Sequence, residues 1–387
     1  IAVGTSVGVG SLVSRRLGEK RQNEANLAAT HGLILNLLSY AIVAILGAFF
    51  IEPFFSIYTQ SADTLRYACD YTYIVVFFSF GIFMQISVEK TLQATGNMLY
   101  PMMFHLVGAI TNLILDPILI FGLLGFPQLG AAGAAIATVI GQIFAMIFAL
   151  IVLFRKNHEI SVHLRGFRFR RDVVRDIYIV GFPSILMQSI GSVLTTLFNL
   201  ILAGFSEAAI TVLGVYFKLQ SFVFMPVFGL TQGVLPIMGY SYGAKNGVRL
   251  KSALRLGTLF SACLMALGML LFWVFTTPLL AAFNANDELL SIGIPALRVI
   301  STCFPLAGIS IILSTLFQAV GKGKLSLYIS ILRQLVILLP AAYFLSKLGL
   351  YYIWFSFPLA ECFSFVFALI FFRKLNHNEL RHLSAAS

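Results

Sequence analysis

Eleven apolar runs, each about 20 residues long, follow one another along this chain, and no other feature constrains its folding so strongly. They lie near 1–17, 27–50, 67–89, 100–123, 131–154, 177–204, 210–241, 253–276, 289–319, 326–346 and 351–372. Inside hydrocarbon every backbone N–H and C=O must find a partner within the protein, so only helices and closed barrels cross a bilayer. The runs are continuous rather than alternating and far longer than a barrel strand, so each is expected to be a helix. Only 11% of the residues are charged, against roughly a quarter in soluble domains. With a mean hydropathy of +0.92, the composition excludes soluble enzymes, disordered chains and disulfide scaffolds. The expected fold is an all-α polytopic membrane protein.

Basic residues orient the helices. Arg15, Arg16, Lys20 and Arg21 follow the first run, Lys90 the third, and Arg155, Lys156, Arg165, Arg168, Arg170, Arg171 and Arg175 the fifth. Lys245, Arg249, Lys251 and Arg255, then Lys322 and Lys324, and finally Arg373, Lys374 and Arg381 continue the same alternation. Twenty-one of the 26 Lys and Arg residues thus fall on one face, which the positive-inside rule makes cytoplasmic, with the C-terminus there too. The net charge of +11 is therefore a topology signal that also suits anionic lipid, and nucleic acid is not needed to explain it. The stretch Arg165–Arg171 interleaves Phe167 and Phe169 with arginines, and resting on lipid headgroups accounts for it more simply than RNA or DNA does. Cys69, Cys263, Cys303 and Cys362 are far apart in apolar runs and read as packing residues.

The chain also repeats itself at an offset of 225 residues. Gly4, Gly8, Val9, Gly18, Lys20, Ala28 and Gly32 match Gly229, Gly233, Val234, Gly243, Lys245, Ala253 and Gly257. Phe50 and Pro53 match Phe275 and Pro278, and Gln93, Ala94 and Gly96 match Gln318, Ala319 and Gly321. Two homologous lobes follow: 1–160 and 177–387, joined by a basic cytoplasmic linker at 161–176. The run at 177–204 has no counterpart ahead of residue 1, so the expectation is eleven of twelve helices, with the first of the N-terminal lobe missing. Six helices per lobe is an even number, so the lobes form a parallel repeat, a plan of one class of secondary transporter.

Among the ionisable residues at membrane depth, Asp116 stands out, because such groups are costly and mark functional sites by default. Asn112 lies four residues earlier on the same helical face, and Pro117 leaves the carbonyl of Leu113 without its helical donor. Those oxygens suit a small hard cation, while an apolar setting for Asp116 makes proton binding equally suitable. His105 shares that face but reads as a solvated or packed histidine near a helix end. Gln188, Ser192, Thr195 and Asn199 form a polar stripe that faces either a neighbouring helix or a wet cavity, and they are the candidate cavity-lining residues. Gly133, Ala137 and Gly141 read as close helix packing. Lys218, Arg298, Arg333 and Glu361 sit in or near spans, where they can pair, line a cavity or snorkel toward the interface. No nucleotide loop, metal triad or nucleophile elbow is present, so the chain is not expected to be an enzyme.

Several segments carry a family resemblance. Residues 8–18 (GVGSLVSRRLG), 112–117 (NLILDP), 133–138 (GAAIAT), 225–233 (MPVFGLTQG) and 236–245 (PIMGYSYGAK) resemble the multidrug and toxic compound extrusion (MATE) family. That likeness spans essentially the whole chain. It implies twelve helices in two bundles that export organic cations or drugs against inward Na⁺ or H⁺, with no other cofactor. The resemblance adds Thr138 as a third oxygen beside Asn112 and Asp116, and implies a further ligand from the missing helix. It departs at Ser241, where many relatives carry Asn. The expected protein is a monomer of the bacterial inner membrane working by alternating access. A flippase of lipid-linked saccharides from the same broad superfamily is the alternative and would show a more cationic cavity. A membrane enzyme would need clustered His, Asp or Glu, and a channel would need no coupling carboxylate.

Overall fold

The structure is a computed structural model that describes residues 1–59, 61–155, 159–165, 167–283 and 286–380. Lys156 and Arg381, counted above as cytoplasmic bases, lie outside them. Contacts divide the chain into two compact units, Ile1–Arg16 with Arg21–Tyr178, and Leu17–Lys20 with the chain from Ile179 onward.

Six helices build the first unit: α1 (Ala2–Gly18), α2 (Gln22–Tyr58), α3 (Ala62–Phe77), α4 (Phe80–Ala94), α5 (Leu99–Phe121) and α6 (Ala131–Arg155). α7 (Arg171–Ala203) begins in it and continues into the second unit. There follow α8 (Glu207–Gly243), α9 (Gly247–Val274), α10 (Thr276–Ala281), α11 (Asp287–Ser301) and α12 (Phe304–Ala319). The last two spans are composite. One joins α13 (Gly323–Ile331), a π-helical stretch Leu332–Leu338 and α14 (Leu339–Ser346); the other runs through α15 (Leu350–Ile353) and α16 (Ser356–Leu375) into a π-helical end, Asn376–Leu380. Polar caps start several of them: the side chain of Ser206 accepts from the Ala209 N–H, Asn246 from Arg249 and Asn286 from Leu289.

Among the described residues eight helices are long and apolar enough to cross a membrane, ten when each of two bent pairs is taken as one span. The remaining expected run is α1, which has 17 residues and carries Arg15 and Arg16 in its last turn. The protein is a multi-pass membrane protein, and its surface agrees with a lipid solvent: Phe49, Phe222 and Val274 are each at least 70% exposed. Lys90 is not in a loop, because α4 continues to Ala94 and buries Lys90 to 7% exposure. The last bases of the linker are helical as well, since α7 already starts at Arg171.

The 225-residue repeat extends through the backbone of both units. α1 ends at Gly18 and α8 at Gly243, α6 starts at Ala131 and α16 at Ser356, and α5 matches the span Gly323–Ser346 to within one residue. Each unit bends the same span, by 45° between α3 and α4 and by 48° between α11 and α12. Lys20 and Lys245 both adopt left-handed backbone, at φ 60° and 55°, as do Gly96 and Gly321 at 84° and 82°. All four close a helix end in the same way. The next residue's N–H reaches back five positions: Arg21 to Arg16, Asn97 to Leu92, Asn246 to Ser241 and Lys322 to Phe317.

Packing explains the small residues. A Cβ on Gly133 would stand 2.4 Å from the Leu119 carbonyl oxygen, and one on Gly141 would stand 2.8 Å from that of Gly108. α5 and α6 therefore touch backbone to backbone along the Gly133–Ala137–Gly141 stripe. The core of the first unit gathers Leu33, Val88, Leu92, Phe104 and Ala149, and that of the second Tyr216, Phe272, Phe304, Leu338 and Trp354.

Candidate functional site

Asn112, Asp116 and Thr138 come together. Asn112 and Asp116 are one turn apart on α5, and the glycine stripe of α6 brings Thr138 against them. The Asn112 amide donates through Nδ2 to Asp116 Oδ1 at 3.2 Å and to Thr138 Oγ1 at 3.3 Å. Thr138 in turn donates to the Ala134 carbonyl at 2.9 Å, a bond within its own helix that fixes the hydroxyl's direction. All three are half-buried, so the carboxylate keeps some access to solvent. In this arrangement the amide's donor side faces Asp116. Turning the amide over would replace that donor with Oδ1 and aim three oxygens at one point, the donor set a small hard cation or a shared proton requires.

The polar stripe on α7 does not act as a unit. Thr195 lines a cavity of about 380 Å³ inside the second unit, and Gln188, Ser192 and Asn199 do not line it. Gln188 and Ser192 are exposed, and Asn199 is half-buried. The same cavity takes in Arg333 and Glu361, which form an ion pair at 3.4 Å. Lys218 lies over the Phe283 ring at 5.8 Å, and the Arg298 Nε donates to Thr276 Oγ1 at 3.4 Å.

Two polar clusters of the first unit escaped the sequence reading. In one, Glu89 Oε1 accepts from Gln93 at 3.0 Å and from Lys90 at 3.4 Å, while Lys90 also donates to Gln93 Oε1 at 2.9 Å. His105 closes the group with its Nε2 at 3.0 Å from Glu89 Oε2 while its side chain stays 63% exposed, so it is a solvated histidine that also has a carboxylate partner. The signal was present as Glu89, Lys90 and Gln93 at helical spacing, but it is legible only when α4 is continued past residue 89. The other cluster docks the linker. His31 donates from Nδ1 to the Leu27 carbonyl at 2.8 Å, which leaves Nε2 to accept the Arg170 N–H at 3.0 Å. The Phe167 and Phe169 rings flank that imidazole at 4.7 and 5.9 Å, so the aromatic interleaving of the linker has an intramolecular partner.

A protein-family model, MatE, matches residues 1–118 and 183–344 of this chain. The chain belongs to the MatE family. Multidrug export protein MepA of Staphylococcus haemolyticus is 28% identical over 342 residues, covering 88% of this chain and 74% of that protein. MepA of Staphylococcus saprophyticus is 28% identical over 358 residues, covering 92% and 78%. Among solved structures, an outward-facing multidrug resistance MATE family transporter of the MOP superfamily superposes with a TM-score of 0.92 at 24% identity, covering all of this chain and 85% of that one. A MOP superfamily transporter from Pyrococcus furiosus, described as having a binding pocket of reversed polarity, gives the same score and identity over 99% and 84%. MatE proteins are transporters, not enzymes, and the two-lobed helical fold is theirs.

Proposed function

We propose that this MatE protein is a secondary-active multidrug antiporter of the bacterial cell membrane, exporting organic cations or other toxic compounds in exchange for Na⁺ or H⁺. The observation that carries this reading is the convergence of Asp116 and Thr138 on the Asn112 amide, at 3.2 and 3.3 Å, from two helices of one lobe. The export activity of the staphylococcal relatives gives the direction of transport. Ion entry at Asp116 biases one conformation of an alternating-access cycle, because a ligand shifts an equilibrium only through its differential affinity for the two states.

The flippase alternative calls for a more cationic cavity, whereas the base that lines the cavity of the second unit, Arg333, is paired with Glu361. Dye transport in proteoliposomes, with Na⁺ and pH gradients imposed separately, tests the antiporter. Uptake of a fluorescent cation under one gradient names the coupling ion, and Asp116→Asn abolishes uptake while the thermal unfolding profile is retained. Coupled transport surviving in Asp116→Asn would remove Asp116 from the mechanism.

A further inference from the structure

The cavity of the second unit contains a carboxylate with unmet bonding capacity. Glu361 is 5% exposed, and its Oε1 is buried with no hydrogen-bond partner. Among the described residues its other oxygen meets only Arg333 Nη1, at a long 3.4 Å. A buried ionised group is tolerated when its lone pairs are filled, so this oxygen calls for a donor. Arg333 sits on the π-helical stretch Leu332–Leu338, a rare helical form frequently found at functional sites. Around the pair the walls are aromatic. Phe224 meets Phe304 edge-on at 5.4 Å, and Tyr216 meets Phe357 at 5.6 Å. A volume of about 380 Å³ suits a small drug-sized molecule.

The repeat supplies an independent argument. At the 225-residue offset, α5 and α6, which carry Asn112, Asp116 and Thr138, correspond to the spans of Arg333 and Glu361. Asn112, Asp116 and Thr138 correspond to Ile337, Ala341 and Phe363, whereas Arg333 and Glu361 correspond to Gly108 and Ile136. The two lobes thus carry their polar groups on the same helix pair at non-equivalent positions, each matched in the other lobe by a glycine or an apolar residue.

We infer that the Glu361 cavity is a binding subsite for aromatic cations that carry an N–H donor, with Glu361 Oε1 accepting from that donor and the phenylalanine walls holding the ring system. Arg333 is the internal cation such a ligand displaces. This rests on the multidrug reading above and adds a selection rule to it. A cation of similar charge without donors gains the aromatic walls but not the hydrogen bond.

Equilibrium binding to the purified full chain tests it with two fixed cations, ethidium, which has aryl N–H groups, and tetraphenylphosphonium, which has none. Replacing the pair as a unit (Glu361→Met with Arg333→Met) leaves an apolar cavity without an unpaired charge, so folding is kept. That double variant should bind ethidium at least tenfold more weakly and tetraphenylphosphonium within threefold of the parent. Arg333→Met alone should tighten ethidium severalfold by removing the competing cation. Unchanged ethidium binding in the double variant, or an equal loss for both cations, overturns the subsite, as does a parent protein that does not bind ethidium. Asp116→Asn separates the two readings: ethidium binding persists there while transport is lost. Binding governed by Glu361 in a parent that transports neither cation would overturn the antiporter and leave the subsite standing.

Discussion

Neutralising Glu89 removes the acceptor around which Lys90, Gln93 and His105 are arranged. Glu89→Gln puts an amide among those donors inside a buried site, and about 1–3 kcal/mol of stability should be lost. Thermal unfolding in a fixed detergent reads this, and Ser87→Ala, which removes a buried hydroxyl that has no partner, should cost less. The comparison also shows what a sequence conveys about single residues. Asp116 was legible because a carboxylate in the middle of an apolar run announces its own cost. Glu89 and Lys90 were not, because charges at the edge of a run look like the start of a loop until the helix is known to continue. The Glu361–Arg333 pair was visible as two charges in neighbouring spans, but pairing 28 residues apart depends on how the spans pack.

Helix packing predicts opposite outcomes for one substitution at two glycines. Gly133→Ala drives a methyl group to 2.4 Å from the Leu119 carbonyl oxygen, which forces α5 and α6 apart at a cost of about 1–3 kcal/mol. Because Thr138 rides on α6, transport should fall along with stability. Gly214 has open space where its Cβ would be, so Gly214→Ala on α8 should stabilise by about 0.5–1 kcal/mol. Unfolding of both variants in one detergent checks the sign. Most spans were legible within a few residues, since continuous apolar length decides them. The bends at 77–80 and 301–304 and the π-helical stretch were not, because hydropathy averages over a turn and carries no record of which carbonyl an N–H selects.

Across the whole molecule the left-handed glycines Gly96 and Gly321, related by the repeat, offer a matched test. Gly96→Ala and Gly321→Ala each place a Cβ on backbone at φ 84° and 82°, and each should cost about 1–2 kcal/mol. The sites share no partner and belong to different compact units, so the double variant should lose the sum to within about 0.5 kcal/mol. A much smaller loss at one of them would mean that the two lobes do not hold these turns alike. The duplicated plan was legible from scattered Gly, Lys and Pro identities because turns and close approaches admit few residue types. The lobes' different placement of charge was not, since it appears only when matching helices are set side by side.

The ends of α1 and α8, the left-handed turns at Lys20/Lys245 and Gly96/Gly321 and the two bends coincide at one offset, although few residue identities do, while Gly122 and Gly130 have no left-handed counterpart. Since the two halves parted, their lineage has therefore accepted substitutions freely and net insertions or deletions hardly at all across these segments. Chain length between landmarks, more than side-chain identity, is what inheritance has kept. Chimaeras that exchange residue i for residue i + 225 at a helix end should accordingly assemble more often than chimaeras cut one residue out of step.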